Sequence, residues 1–395
     1  MHMIEQPSRL RDRYAIVGVG QSRLGRVPEF SSTDLLLQAV KNALDDAGLD
    51  IKEVDGLICR GPHDIYTHHQ VVGSKLGINA RFSTTLDNGG AGQALGVILA
   101  VLAIDAGLAS TVIVGCCVDA WSRTHRSEEA RVHNDSRRPD QEVCEFGPEY
   151  GYFGAVAAYA LGAQRHMDLY GTRREHFAEI AIRFREHALR NPSAAMKTPL
   201  TREEYFNARL IVAPLGLFDC SLRSDGAGAV IVTSRVRARD LKQRPVLIKG
   251  FGTYNQLRGW FADDNMVSSA AGQSGAAAYS MAGVGPSDID IAQLYDCFTS
   301  VVLMQLEDYG FCKKGEGAEF IMGDALRMNG CLPCNTSGGM LSEAHIEGML
   351  QICEGVQQLR GTLPSERQVD AAEVALVSGH GGNQVCHATL ILGRS

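Results

Sequence analysis

Ala47-Gly48-Leu49 followed by Glu53-Val54-Asp55 returns, 235 residues later, as Ala282-Gly283-Val284 followed by Asp288-Ile289-Asp290. Each copy reads as a helix stopped at a glycine and then, after a short acidic turn, a strand. Around the first copy, Tyr14 to Gly20 reads as a short buried strand. Ser32 to Gly48 reads as an amphipathic helix opened by Ser32 or Thr33, and Val54 to Arg60 as a second strand. A small-residue helix, Gly90 to Ala106, and a strand, Thr111 to Cys116, follow. The second copy is joined by a glycine-started helix, Gly338 to Leu359, and a terminal strand, Val374 to Gly379. Strands alternating with helices give an α/β protein, and the repeated order gives two duplicated α/β halves packed together.

The N-terminal half spans residues 1–240 and the C-terminal half 245–395, with Ser234 to Pro245 as the linker. The first half carries an insertion at 121–215, rich in charge and aromatics, which reads as a cap with helices Gly154 to Tyr170 and Arg173 to Arg190. The chain rejoins the fold at Ser224-Asp225-Gly226-Ala227-Gly228 and enters a strand at Ala229 to Thr233.

A chain of 395 residues, 45% hydrophobic, is long enough for two fused domains. Its net charge of -7 offers no basic field for a nucleic-acid backbone. Met1 to Tyr14 is polar, and the longest apolar run, Ala94 to Ile104, stops at Asp105, well short of a membrane span, so a cytoplasmic protein is expected. Eleven irregularly spaced cysteines read as reduced thiols rather than a disulfide framework. Cys331-Leu-Pro-Cys334 lacks the second pair or histidines of a zinc site, and no metal is expected.

Five strings carry the chemistry: Asn88-Gly-Gly-Ala-Gly92, Ser224-Asp-Gly-Ala-Gly228, Tyr295-Asp-Cys-Phe298, Asn335-Thr-Ser-Gly-Gly-Met-Leu-Ser-Glu-Ala-His345 and Ser378-Gly-His-Gly-Gly382. In this order and spacing the chain resembles the thiolase superfamily, in particular sterol-carrier-protein-type thiolases and the thiolase-like lipid-transfer proteins that include steroid side-chain aldolases. The resemblance spans nearly the whole chain. It implies a thiolase-like fold in five-layered packing with a cap/loop insertion, and a homodimer.

Carried over by position, Gly89 stands where the family has its nucleophilic cysteine, and Tyr295 where it has the Asn or His of an oxyanion hole. His345 stands where it has the activating histidine, within Ala344-His345-Ile346 rather than Gly-His-Pro. Gly379 replaces the second, acid/base cysteine and leaves His380 beside the gap. A thiolase holds its acyl group on cysteine between two half-reactions, and that intermediate cannot form on glycine. A retro-aldol cleavage of a β-hydroxyacyl-CoA needs none. It needs a cradle for the thioester oxygen and one or two proton-transfer groups.

Tyr295, His345 and His380 are the candidate catalytic residues, with the backbone at Gly89, Gly90, Gly338, Gly339 and Gly381 near the CoA thioester. A tyrosine with a pKa of about 10 is a poor base at neutral pH, whereas a histidine near ~6.5 is a ready one. His345 or His380 is therefore expected to be the base or to tune Tyr295, with Tyr295 as proton or hydrogen-bond donor; the reverse assignment stays open. Asp296 is expected to cap backbone, Cys116 and Cys117 to pack, and Cys297 to sit in a strand with Tyr295 and next to Phe298, as part of the core.

Coenzyme A is expected as part of the substrate, with no tightly bound cofactor. Arg123, Arg126, Arg131, Arg137 and Arg138 could meet its phosphates, but Glu128, Glu129, Asp135 and Asp140 among them favour a solvated mixed-charge loop. The resemblance further implies a small partner carrying an OB-fold and a zinc ribbon, forming a heterotetramer. The favoured reading is a lyase acting on a bulky β-hydroxyacyl-CoA, with a steroid side chain or an aromatic group at Cβ. Two others remain open: a thiolase with its nucleophile relocated to Cys220 or Cys297, and a non-catalytic acyl-CoA or lipid carrier.

Overall fold

The computed structural model describes residues 8–62, 65–125, 152, 154–257 and 266–395. Its strands are β1 (Tyr14–Gln21), β2 (Gly56–Arg60), β3 (Phe82–Thr85), β4 (Thr111–Asp119), β5 (Leu210–Val212), β6 (Leu215–Gly216), β7 (Asp225–Ser234), β8 (Val246–Asn255), β9 (Ile291–Gln293), β10 (Val374–Gly381) and β11 (Cys386–Arg394). Nine of them form one sheet in the order β3-β2-β4-β7-β1-β8-β11-β10-β9, and β5-β6 is a separate hairpin.

The sheet is two arrays of one plan. In the first, β2 runs parallel to β4, which pairs antiparallel with β7, and β7 with β1. In the second, β9 runs parallel to β10, which pairs antiparallel with β11, and β11 with β8. The seam is narrow, with only Ala15 opposite Leu247 and Ile16 opposite Val246. The repeated sequence sits at equivalent places: Ser32–Ala47 and Ala271–Ala282 are helices closed by Gly48 and Gly283 at φ 70° and 66°. Each leads into a 3-10 turn, Ile51–Glu53 or Pro286–Asp288.

These two helices lie on the outer faces, the first on β1, β7 and β4, the second on β8 and β11. The Gly92–Asp105 and Met349–Arg360 helices touch strands of both arrays and fill the space between them. The result is five layers, α-β-α-β-α. The Gly92–Asp105 helix of this middle layer is apolar almost throughout, whereas Met349–Arg360 also buries Gln351, Glu354, Gln358 and Arg360, each with a hydrogen-bond partner. Val97, Val101, Ile352, Val356, Val377 and Leu390 share one core there. Each fully buried side chain of this kind contributes roughly 1.5–3 kcal/mol. The cap interrupts the first half in sequence but packs on the second: its Arg174–Leu189 helix lies against the Thr299–Asp308 and Gly339–Ser342 helices. Among the described residues no helix is long and apolar enough to cross a membrane.

Three local expectations are corrected. The first helix is capped by Ser31, whose hydroxyl accepts the Asp34 N–H, while Ser32 and Thr33 are buried inside it. Tyr295 to Phe298 is not strand: β9 ends at Gln293, and the chain turns through this segment into the Thr299–Asp308 helix. The expected continuous helix from Gly338 to Leu359 is broken into Gly339–Ser342 and Met349–Arg360. Glu347 and Gly348 between them are left-handed, at φ 48° and 88°, which a right-handed helix cannot accommodate. That break carries His345.

Candidate active site

Five chain segments converge: the end of β2, the 87–91 turn, the segment after β9, the 343–348 turn and the end of β10. The Tyr295 ring, only 5% exposed, lies directly on Gly90. A Cβ there would stand 2.1 Å from both Cζ and the hydroxyl oxygen of Tyr295, so only glycine fits beneath the ring. The phenol oxygen is 3.2 Å from His345 Nε2, and the rings meet edge to face at 83°. On its other side His345 Nδ1 lies 3.0 Å from Ser221 Oγ, and its backbone N–H donates to Ser224 Oγ.

Burial, then the Glu347 carboxylate, hold the Tyr295 phenol well above its usual pKa, with Arg60 opposing. Burial lowers His345, with Glu347 opposing and Arg60 reinforcing. Both groups are therefore neutral near pH 7. The contacts are satisfied when the phenol donates to Nε2 and Nδ1–H to Ser221. A neutral imidazole holding a neutral phenol can take up a proton through it and return one through it.

His380 lies beside Tyr295, with ring centroids 5.6 Å apart, but it is engaged elsewhere. Its Nε2 is 2.7 Å from the Tyr159 hydroxyl and its Nδ1 is 2.6 Å from His387 Nε2. Burial pushes its pKa down to about 3. Of the two histidines singled out from the sequence, His345 is the one bonded to Tyr295.

Gly89, at φ 53°, and Gly381 bring their loops into contact: a Cβ on Gly89 would lie 3.2 Å from Gly381 Cα, and one on Gly381 2.5 Å from the Asn88 oxygen. Gly338 and Gly339 lie at the start of the short Gly339–Ser342 helix. A Cβ on them would meet Ala188 and Asp296 respectively. The Gly338 N–H donates to the Asn335 carbonyl, and those of Met340 and Leu341 to Asp296. Three donors of this helix start, those of Gly338, Met340 and Leu341, are thus used inside the protein, and Asp296 caps backbone as its sequence context suggests. Burial outweighs those donors and raises the Asp296 pKa to about 6.

Burial also raises the thiols of Cys116 and Cys297, and pushes Cys220 up to about 12. A nucleophilic cysteine needs the opposite shift. Cys331 is exposed while Cys334 is buried, and the described residues contain no group of three His, Cys, Asp or Glu arranged to hold a metal. Arg123 faces Asp119 at 4.0 Å. Arg126, Arg131, Arg137 and Arg138, with Glu128, Glu129, Asp135 and Asp140, lie outside the described residues. Two hollows, of about 780 and 720 Å³, open beside Arg190 and Arg327 and beside Arg23 and Lys41; neither is lined by Tyr295 or His345.

Sequence reading passed over Ser221, Arg60, Glu347 and Tyr159. Ser221 and Glu347 lie close to recognised strings, three residues before Ser224 and two after His345. Arg60 and Tyr159 reach the site only through the fold.

Five layers, two facing glycine loops and a histidine on the turn between two helices define a protein of the thiolase fold. Residues 252–394 match the family model for the thiolase C-terminal domain-like fold. The chain is 36% identical over 404 residues to the 17-hydroxy-3-oxo-4-pregnene-20-carboxyl-CoA lyase of Mycobacterium tuberculosis, covering 97% of this chain and 100% of that protein. It is 34% identical over 386 residues to a steroid side-chain-cleaving aldolase of Thermomonospora curvata, covering 96% and 97%. The solved Ltp2-ChsH2(DUF35) aldolase superposes with a TM-score of 0.88 at 34% identity, over 98% of both chains. The chain belongs to the thiolase superfamily, in the family of thiolase-like side-chain-cleaving aldolases.

Proposed function

We propose that this chain is a carbon–carbon lyase that cleaves a bulky β-hydroxyacyl-CoA by retro-aldol reaction, without a covalent acyl-enzyme. The observation that carries the reading is the Tyr295–His345 bond, 3.2 Å long, set over a Gly89-Gly90 turn that has no thiol. The substrate hydroxyl gives its proton to the Tyr295 oxygen as the Tyr295 proton passes to His345 Nε2. The hydroxyl-bearing carbon becomes a carbonyl, and the Cα–Cβ electron pair moves into the thioester as an enolate. The same path then returns a proton to Cα. The net change moves one proton from oxygen to carbon and consumes no co-reactant.

The backbone at Gly89, Gly90 and Gly381 is the cradle we assign to the thioester oxygen, and coenzyme A enters only as part of the substrate. His380 we assign to holding the wall behind Tyr295. The steroid named in the Mycobacterium tuberculosis relative supports a polycyclic or similarly bulky group at Cβ. The paired name of the Ltp2-ChsH2(DUF35) aldolase supports a DUF35-type partner, and we place one here alongside a homodimer of this chain. The raised thiols argue against a relocated nucleophile.

The test is to incubate the chain, alone and with a DUF35-type partner, with a branched β-hydroxyacyl-CoA and to follow products by mass spectrometry. A carbonyl compound and a shortened acyl-CoA are expected in equal amounts. Binding without products in both mixtures, across substrates with steroid and aromatic groups, would instead mean a carrier.

A further inference from the structure

Arg60 ends β2 with its side chain only 6% exposed. A buried guanidinium requires carboxylate partners, because removing it from water is costly. It contacts Glu347 and lies 3.3 Å from Asp87 Oδ1. Each partner belongs to a different wall of the site. Asp87 Oδ1 also accepts the Gly89 N–H at 3.3 Å. Glu347 sits in the left-handed turn after His345, and a Cβ on its neighbour Gly348 would be 3.3 Å from both the Gly90 oxygen and the Tyr295 ring. One side chain therefore ties the glycine turn to the turn that carries His345, with Tyr295 held between them.

The charged and titratable groups around Tyr295 include Glu347, Cys297, Arg60, Cys116 and Tyr159, with the His345 and His380 rings alongside; those acting on His345 include Glu347 and Arg60. Arg60 is the one cation in this set. Building on the lyase reading above, we infer that Arg60 is a positioning residue of the reaction: it locks the two turns in register and offsets the negative charge that develops beside Tyr295 as the Cα–Cβ bond breaks. Glu347 holds it there and balances it at rest.

The two charges act in opposite directions on the pair, and a purely structural role would not reproduce that. Arg60→Met should lower kcat by ~10²–10³-fold, the cost of removing one preorganised donor from a charge-developing site, with KM changed much less. Both limbs of its kcat/KM profile should move to higher pH. Glu347→Gln should move both limbs to lower pH. Arg60→Lys keeps the charge and should keep the limbs in place while recovering part of kcat.

A substrate-free reading accompanies these assays: the imidazole ¹⁵N titration of His345, assigned with His345→Gln, should move up in Arg60→Met and down in Glu347→Gln. If Arg60→Met does not fold, Glu347→Gln set against Arg60→Lys decides the matter by the same two readings. Shifts in the same direction, an unmoved His345 titration, or an Arg60→Met kcat within ~3-fold of wild type would overturn the inference. No cleavage by the wild type together with the expected NMR shifts would instead remove the lyase reading and leave the arrangement of charges standing.

Discussion

Gly90→Ala isolates the placement of Tyr295 from its chemistry. The added methyl would stand 2.1 Å from Cζ and the hydroxyl oxygen and 2.2 Å from Cε2. Carbon atoms in contact sit at ~3.5–4.0 Å, so the ring must recede by roughly 1.5 Å. It has little room to do so: Gly348 approaches on another side, and Gln305 Nε2 donates to the Tyr295 carbonyl at 2.8 Å. A hydrogen bond of 3.2 Å to His345 does not survive a displacement of that size. Misplacing a reacting group by ~1 Å costs on the order of 10²-fold in rate, and overpacking costs about 1–3 kcal/mol. Gly90→Ala should therefore lose ~10²-fold or more in kcat while remaining folded, with its urea midpoint lowered by that modest amount. Gly92→Ala is the control, because its added carbon meets nothing nearer than the Leu86 oxygen at 4.0 Å and opens a helix. It should keep its activity and lose no stability. A Gly90→Ala enzyme within ~3-fold of wild type would refute the placement of Tyr295 at the reacting centre.

Tyr295→Phe keeps the ring on Gly90 and removes the hydroxyl that shares the proton, and should cost ~10²–10⁴-fold in kcat, with stability lowered by about 1 kcal/mol because His345 Nε2 loses its partner; intact activity would eliminate the proton path. Iodoacetamide should label exposed Cys331 without loss of cleavage, since burial keeps the Cys116, Cys220 and Cys297 thiols protonated; inactivation protected by substrate would point to a working thiol. His380, depressed in the folded state to about 3, stays neutral while its unfolded counterpart gains a proton. Stability due to it is thus complete above ~6.5 and should fall by ~2 kcal/mol between pH 7 and 5, a slope that His380→Gln removes from urea titrations. Glu343, raised by burial to about 7, runs the other way, losing stability as pH rises toward that value.

The architecture was legible where local and global preferences coincide. The Gly154–Tyr170 helix has its expected ends, and Gly48 and Gly283 stop their helices in the left-handed conformation that glycine favours. Misreadings fell where tertiary contacts override local pattern. The run from Gly338 to Leu359 has helical composition throughout, yet Asp296 from another segment takes the N–H groups of Met340 and Leu341, and Glu347 is forced left-handed. Tyr295 and His345 were found by their register in the five strings. Ser221, Arg60 and Tyr159 have no such marker, because what makes them part of the site is a contact across 124, 287 or 221 residues, with His345, Glu347 and His380. The commitment of both His380 nitrogens is a property of Tyr159 and His387 that one string of sequence cannot display.

The most direct test of a retro-aldol site without an acyl-enzyme is the intact mass of the protein during turnover of a branched β-hydroxyacyl-CoA in buffer free of coenzyme A. The account expects a carbonyl product and a shortened acyl-CoA to accumulate while the protein mass stays that of the unmodified chain. Cleavage that waits for added coenzyme A, with an acyl adduct on a cysteine, would contradict it.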